Sequence, residues 1–177
     1  MKRALVIGAG PAGLAAAEEL ALAGVGVTLA EAKPSPARKF LMAGKSGLNL
    51  TKDEPFNKFL AAHGSRAEAL RPMLKAFGPP EVKAWAETLR QPVFTGSSGR
   101  VFPRTMKASP LLRAWLKRLE ALDVTFRMRW SWQGGATFET PEGLVEAASD
   151  VTVLACGGAS WARLGSDGSW AEHIADS

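Results

Sequence analysis

An α/β fold, with a parallel sheet and a small antiparallel β-meander, follows from three observations in this sequence. Arg3 to Ile7 and Val27 to Glu31 are short apolar runs joined by a glycine-marked turn and the alanine-rich stretch Pro11 to Ala23, which is the pattern of a βαβ unit. Val151 to Ala155 is a further continuous apolar run ending at Gly157-Gly158, and it reads as a buried parallel strand returning to the first sheet. From Val124 to Ala147, strand-like runs punctuated by Gly134-Gly135 and Pro141-Glu142-Gly143 give the meander.

The elements between these follow in order. Pro34 and Pro36 mark a connection, and the Gly/Lys/Asn-rich stretch Ala43 to Thr51 has the character of a ligand-facing loop. Helical stretches follow at Ala67 to Phe77, with Pro72 expected to start a fresh turn, and at Pro80 to Arg90. Ser109 and Pro110 read as an N-cap and first helical residue opening a helix to about Leu122. Its residues Leu111, Leu112, Trp115, Leu116, Leu119 and Leu122 fall at helical spacing, so this stripe is core.

Composition bounds the function. With 177 residues and 46% hydrophobic side chains the chain can bury one good core. The net charge of +5 comes from scattered basic residues, which suits a phosphate-bearing ligand and lacks the basic-aromatic interleaving of a nucleic-acid groove. The single cysteine, Cys156, excludes an internal disulfide and a multi-cysteine metal site, and points to a reducing cytoplasmic setting. Lys2 and Arg3 ahead of an apolar stretch imitate a secretory leader, but Gly8, Gly10, Pro11 and Gly13 interrupt it. No uncharged run is long enough to span a bilayer.

The chemistry is concentrated in Gly8-Ala9-Gly10-Pro11-Ala12-Gly13, where the first strand hands over to the helix. Gly8 allows the tight turn, Gly10 lets backbone approach a pyrophosphate, and Gly13 lets the helix lie close on the strands. The free amides and positive dipole end of that helix favour the anion. Glu31 ends the second strand 18 residues beyond Gly13, where its carboxylate can accept both hydroxyls of an adenosine ribose. Together these define a Rossmann-like dinucleotide site. Arg38 and Lys39 follow, either as cofactor ligands or as two solvated surface cations.

From Arg38 to Thr51 the run Arg-Lys-Phe-Leu-Met-Ala-Gly-Lys-Ser-Gly-Leu-Asn-Leu-Thr resembles the second signature of the YhiN/BaiN-type flavoproteins. The stretches from Gly96 to Pro103, Lys107 to Leu112, Gly157 to Trp161 and Leu164 to Gly168 extend the resemblance over nearly the whole chain. Members of this family are NAD(P)/FAD-dependent or aminoacetone-oxidase-family oxidoreductases. The resemblance therefore implies an FAD-binding domain of the glutathione-reductase type, with NAD(P)H as candidate electron donor. It implies cofactor contacts from Gly8, Gly10, Pro11, Ala12, Gly13, Glu31, Ala32, Arg38, Lys39, Gly44, Asn49, Ala155 and Gly157. Where the broader family reads Ser-Gly-Gly-Gly-Arg-Cys-Asn, this chain has Ala43 to Asn49; Gly44 and Asn49 match, and the Arg and Cys do not. Family members are longer, inserting a second domain after the Gly-Ser-Asp-Gly stretch before completing the FAD site. Residues 1–177 are thus expected to form one FAD-binding domain, with a helical segment at about 54–122 and the meander at about 124–147. The inserted domain and the C-terminal return would be absent.

Other chemistries lack their residues. Gly44-Lys45-Ser46 imitates a phosphate-binding P-loop, but Lys39 stands where that motif needs glycine. The short-chain dehydrogenases use a catalytic tyrosine, and this chain has none. No Gly-x-Ser-x-Gly elbow occurs. His63 and His173 share no metal-ligand spacing and read as solvated or capping residues, so no metal is expected. Cys156 reads first as a small buried apolar residue. Trp130 and Trp132 fit one face of a strand, and Trp161 sits in a glycine-rich loop. Catalytic residues and substrate are not legible. An enzyme passing electrons through FAD stands against a nucleotide-binding module without catalytic activity.

Overall fold

The structure, a computed structural model, describes residues 1–174. In chain order its elements are β1 (Arg3–Ile7), α1 (Pro11–Leu22), β2 (Gly26–Glu31), α2 (Arg38–Ala43), β3 (Thr51–Lys52), α3 (Phe56–Ala61), α4 (Ala67–Ala76) and α5 (Pro79–Thr88). Then come β4 (Val93–Thr95), β5 (Arg100–Pro103), α6 (Ala108–Ala121), β6 (Thr125–Met128), β7 (Ser131–Trp132), β8 (Thr137–Thr140), β9 (Gly143–Glu146) and β10 (Val151–Leu154). The chain divides into two compact units, residues 1–42 with 116–177, and residues 43–115.

The first unit contains a four-stranded parallel sheet in the order β10-β1-β2-β6 and a separate antiparallel sheet β7-β8-β9. The α/β fold expected from the sequence is therefore present. β1 is buried along Ala4 to Ile7 because the sheet surrounds it on both edges, and α1 lays Leu14 and Ala17 against it. A half-buried ion pair, Arg118 Nη1 to Glu18 Oε1 at 2.9 Å, ties α6 to α1.

Several expectations need correction. Thr125–Met128 does not open the meander; it pairs parallel to β2, with Thr28 opposite Thr125. A four-residue run cannot declare its partner, and the crossover through α6 delivers it to the parallel sheet. β10 joins β1 in parallel as expected, but it is not buried: it is an edge strand with Val151 and Leu154 exposed. An edge is covered less completely than a central strand, and apolar character alone does not distinguish the two.

The second unit holds an antiparallel sheet β3-β5-β4, of which β4 and β5 fall inside the stretch expected to be helical and β3 just before it. These strands are two to four residues long, below the length at which alternation can be read. α4 runs through Pro72 without a fresh start, and α6 begins at Ala108, so Ser109 is inside the helix and not its cap. Pro110 remains within the first turn, where a missing amide costs nothing. Leu111, Leu112 and Trp115 are buried, and Trp115 meets Trp85 edge to face with centroids 4.7 Å apart.

The β1–α1 turn depends on a close backbone approach. Gly8 has φ +104°, and a Cβ there would overlap the carbonyl oxygen of Ala155 at the end of β10; at Gly10 a Cβ meets nothing within 4 Å. Gly8→Ala is expected to lower unfolding stability by about 1–3 kcal/mol, while Gly10→Ala costs under about 1 kcal/mol. Urea midpoints of the two variants measure the difference, and equal midpoints would contradict this account of the turn.

Candidate functional site

A cavity of about 410 Å³ opens at the carboxyl ends of the parallel strands, all within the first unit. That size lies in the range of small-molecule sites, about 300–1,000 Å³. Of the residues nominated as cofactor contacts, Gly8, Gly10, Pro11, Ala12, Glu31, Ala32, Arg38, Lys39, Ala155 and Gly157 line it. Gly13 lies beneath, buried in α1, where a Cβ would overlap the Gly8 carbonyl oxygen. Gly44 and Asn49 belong to the second unit and are not among the lining residues: Gly44 is packed against Ala108, and Asn49 is exposed.

The glycine turn is clamped from β2 and the segment after it. The Gly8 amide donates to Ala30 O at 2.8 Å, and the Ala9 amide to Glu31 Oε2 at 2.9 Å. The Ala37 amide donates to Ala9 O at 2.8 Å, and the Lys33 amide to Glu31 Oε1 at 2.8 Å. Glu31 therefore has a protein partner on each oxygen, where the sequence offered only a ribose ligand. Each carboxylate oxygen still has a second acceptor position. The Glu31 carboxylate can thus brace the turn and accept two further donors.

The anion-binding end is built from backbone. Gly10 caps α1 with no side-chain bond, Pro11 has no amide to offer, and the amides of Ala12 and Gly13 have no acceptor within the helix. Open space over Gly10 lets a ligand reach them. Arg38 and Lys39 are half-buried cavity residues rather than solvated surface cations. Arg38 Nη1 reaches Ser35 Oγ at 3.5 Å while its Nε is buried without a hydrogen-bond partner, and Lys39 Nζ donates to Gly158 O at 3.1 Å. A buried guanidinium N–H lacking an acceptor is the complement of a phosphate oxygen.

Residues that the sequence did not assign complete the wall. Trp130, Trp132, Trp170 and His173 all line the cavity, whereas Trp161 does not and is 60% exposed. His173 meets Trp132 edge to face, with ring centroids 5.4 Å apart; among the described residues no group of three or more His, Cys, Asp or Glu is placed to hold a metal ion. The signal for Trp130 and Trp132 was their place just after a strand that pairs with the Glu31 strand, which required knowing that β6 is parallel. Cys156 is half-buried, and its thiol donates to Ile7 O at 3.7 Å. Burial, and after it the nearby Glu31 carboxylate, push that thiol above the usual cysteine range. Asp167 is held below the usual carboxylate range by the amide and hydroxyl of Ser169.

The sequence model of the HI0933-like protein Rossmann domain matches residues 2–177. Among solved structures, the chain is similar to a flavocytochrome c3 fumarate reductase in an open conformation, with TM-score 0.67 and 21% identity over 89% of this chain and 34% of that one. It is also similar to the 3-ketosteroid-delta4-(5alpha)-dehydrogenase from Rhodococcus jostii RHA1, with TM-score 0.64 and 16% identity over 89% of this chain and 46% of that one. BexE, described for its part in oxidation during BE-7585A biosynthesis, gives TM-score 0.53 and 19% identity over 99% of this chain and 34% of that one. Identities at this level establish the fold alone, and the chain spans less than half the length of these three structures. No curated protein matches the sequence. No helix among the described residues is long and apolar enough to cross a membrane.

Two measurements follow from the site. Glu31→Ala strands the buried Ala9 amide and removes a charged acceptor, so it is expected to lower stability by about 1.5–3 kcal/mol without any ligand, with Glu31→Gln losing less. Unchanged urea midpoints in both variants would contradict the bracing role. The second concerns Cys156: iodoacetamide alkylation is expected to be slow near neutral pH and to keep rising with pH past about 8.5, the ordinary cysteine value at which a free thiol begins to level off. A thiol reacting like a free cysteine peptide across that range would show that burial does not control it.

Proposed function

The chain belongs to the HI0933-like protein Rossmann domain family, and from that premise we propose that it is the FAD-binding portion of a flavin-dependent oxidoreductase. One observation carries the reading. The open terminus of α1, the glycine turn and the Glu31 carboxylate meet in a single cavity at the carboxyl ends of β1 and β2. That is where a doubly wound sheet receives a dinucleotide.

The residues present fit the group. Gly10 leaves room for pyrophosphate against the α1 amides, and the unpartnered Arg38 Nε and the Lys39 ammonium offer it positive charge. Glu31 has acceptor capacity left for the two ribose hydroxyls, and a 2′-phosphate would meet a carboxylate there. FAD, when bound, would supply electron transfer; what these residues do is bind it, fix its direction and neutralise its phosphates. The likeness to YhiN/BaiN-type flavoproteins supports the same reading, with Gly44 and Asn49 as further candidate contacts and NAD(P)H as candidate donor. The substrate is left to the rest of the family architecture.

The test is binding by this chain. FAD and ADP are expected to bind, and FMN, which has no adenosine, is not. Gly10→Val is expected to abolish binding while leaving the circular dichroism spectrum intact, because a branched side chain would fill the approach to the α1 amides. Retained FAD affinity in folded Gly10→Val would overturn the placement of the phosphates. Binding of ADP with no added affinity for FAD would favour a nucleotide-binding module without flavin chemistry.

A further inference from the structure

The basic residues are not spread evenly over the chain. Residues 43–115 carry twelve Lys and Arg against five Asp and Glu, whereas the rest of the chain carries ten against twelve. Four of the five carboxylates in that second unit are already engaged: Asp53 by Lys83 and Thr95, Glu54 by Lys52, Glu68 by Arg71, and Glu81 by the Gly78 amide. Lys45, Arg100, Arg104 and Lys107 are exposed, and among the described residues none of these four makes an ion pair. Surface charge left unpaired in this way is open to an anionic partner.

Those four cations belong to the segments that frame the uncovered face of the β3-β5-β4 sheet. Side chains alternate across a strand, and β5 buries Val101 and Pro103 while Arg100 and Phe102 point the other way. Arg104 continues that alternation one residue past the strand. Phe94 stands directly opposite Phe102 in the β4-β5 register, with ring centroids 5.9 Å apart. A Cβ on Gly47 would overlap the Met106 methyl and lie 3.7 Å from the Phe102 ring, so both side chains rest on the Gly47 main chain. The Leu48 amide donates to Met106 O at 2.9 Å, which brings the loop of Lys45 beside that of Arg104 and Lys107. Phe94 and Met106 are each 37% exposed, so the apolar strip is open to solvent at both ends.

We propose that this face docks on an anionic lipid bilayer. Phe94, Phe102 and Met106 enter the headgroup boundary, and the framing cations meet lipid phosphates. A compact anion needs a concave site, and neither the Gly10 cavity nor the cleft between Glu54 and Pro79 includes these residues. A bilayer offers a plane of one sign over an apolar interior, which complements unpaired cations around exposed aromatic and methionine side chains. Asp53 and Glu54, the carboxylates that follow β3, are held by Lys83 and Lys52 and so do not oppose it. Attachment of this kind is peripheral, and it is independent of the cofactor reading because the first unit contributes no residue to the face.

Cosedimentation of this chain with vesicles tests the face, using phosphatidylcholine alone and equal parts of phosphatidylcholine and phosphatidylglycerol. Binding is expected to be at least about tenfold tighter to the anionic vesicles and to weaken as salt is raised above about 0.15 M. Each cation near such a surface is worth about fivefold in affinity, so a chain carrying both Arg104→Glu and Lys107→Glu should lose more than about twentyfold. Phe94→Ser should lose about five- to tenfold with the salt dependence unchanged, because it removes apolar contact and no charge. The control pair Arg66→Glu and Lys75→Glu, at α4, makes the same change in net charge away from the face and should lose under about threefold. Circular dichroism checks that each variant folds, and the two charge variants carry the test should Phe94→Ser not fold. An equal loss in the control pair would mean attraction by net charge alone and would overturn the face. Equal binding to the two kinds of vesicle, full binding by the Arg104/Lys107 variant, or full binding by folded Phe94→Ser would overturn it as well. Tighter binding to oligo(dT) than to the anionic vesicles would overturn the bilayer as the occupant, in favour of a nucleic-acid strand.

Discussion

Three backbone segments meet at the end of the parallel sheet with no room for side chains between them. A Cβ on Gly8 would overlap the carbonyl of Ala155, and a Cβ on Gly13 would overlap the carbonyl of Gly8. The end of β1, the first turn of α1 and the end of β10 are therefore held at backbone contact distance, and the cavity follows from that crowding. Were α1 set further out, its open amides would no longer stand beside Glu31. On this side the cavity is lined by Gly8, Gly10, Pro11, Ala12, Ala155 and Gly157, and main chain so packed has few alternative conformations to visit.

Glu31 links this packing to recognition. Its two oxygens hold the Ala9 and Lys33 amides, so the carboxylate is oriented before any ligand arrives. Preorganisation of this kind reduces the ordering cost of binding. It also couples the fold to the proposed function in one side chain: a substitution that removes the acceptor proposed for the ribose also loosens the turn proposed to approach the phosphates. Loss of affinity on its own would not separate these effects, whereas stability without ligand does.

Much of this was legible in the sequence because the βαβ unit is governed by local rules. Glycine spacing, an alanine-rich helix and a strand-terminal acid lie within 31 residues, and ten of the residues they and the family resemblance nominated line one cavity. What was not legible depended on pairing over long distances. Thr125–Met128 reads as meander until β2 is seen beside it, and the aromatic wall after it could not be placed without that pairing. The strands of the second unit are too short for alternation to register. Helix starts at Ser109 and Pro72 were misplaced for a related reason: cap preferences are worth about 1 kcal/mol, less than the packing of Leu111, Leu112 and Trp115 that sets α6.

The charge pattern of the cavity explains why a basic chain need not be a nucleic-acid binder. Lys33, Arg38 and Lys39 line it against the carboxylates of Glu31 and Asp167, and those carboxylates are engaged by backbone amides or by Ser169. Three basic side chains thus line the same cavity as the residues at the open end of α1. A pyrophosphate can use enclosed charge because it is compact and brings its own negative charge to the helix terminus. A polymer backbone needs a continuous exposed track, since its affinity is built from many phosphates in a row. The same guanidinium nitrogen that is costly to bury without a partner becomes, with a phosphate oxygen beside it, a directional contact that a solvated lysine would not provide.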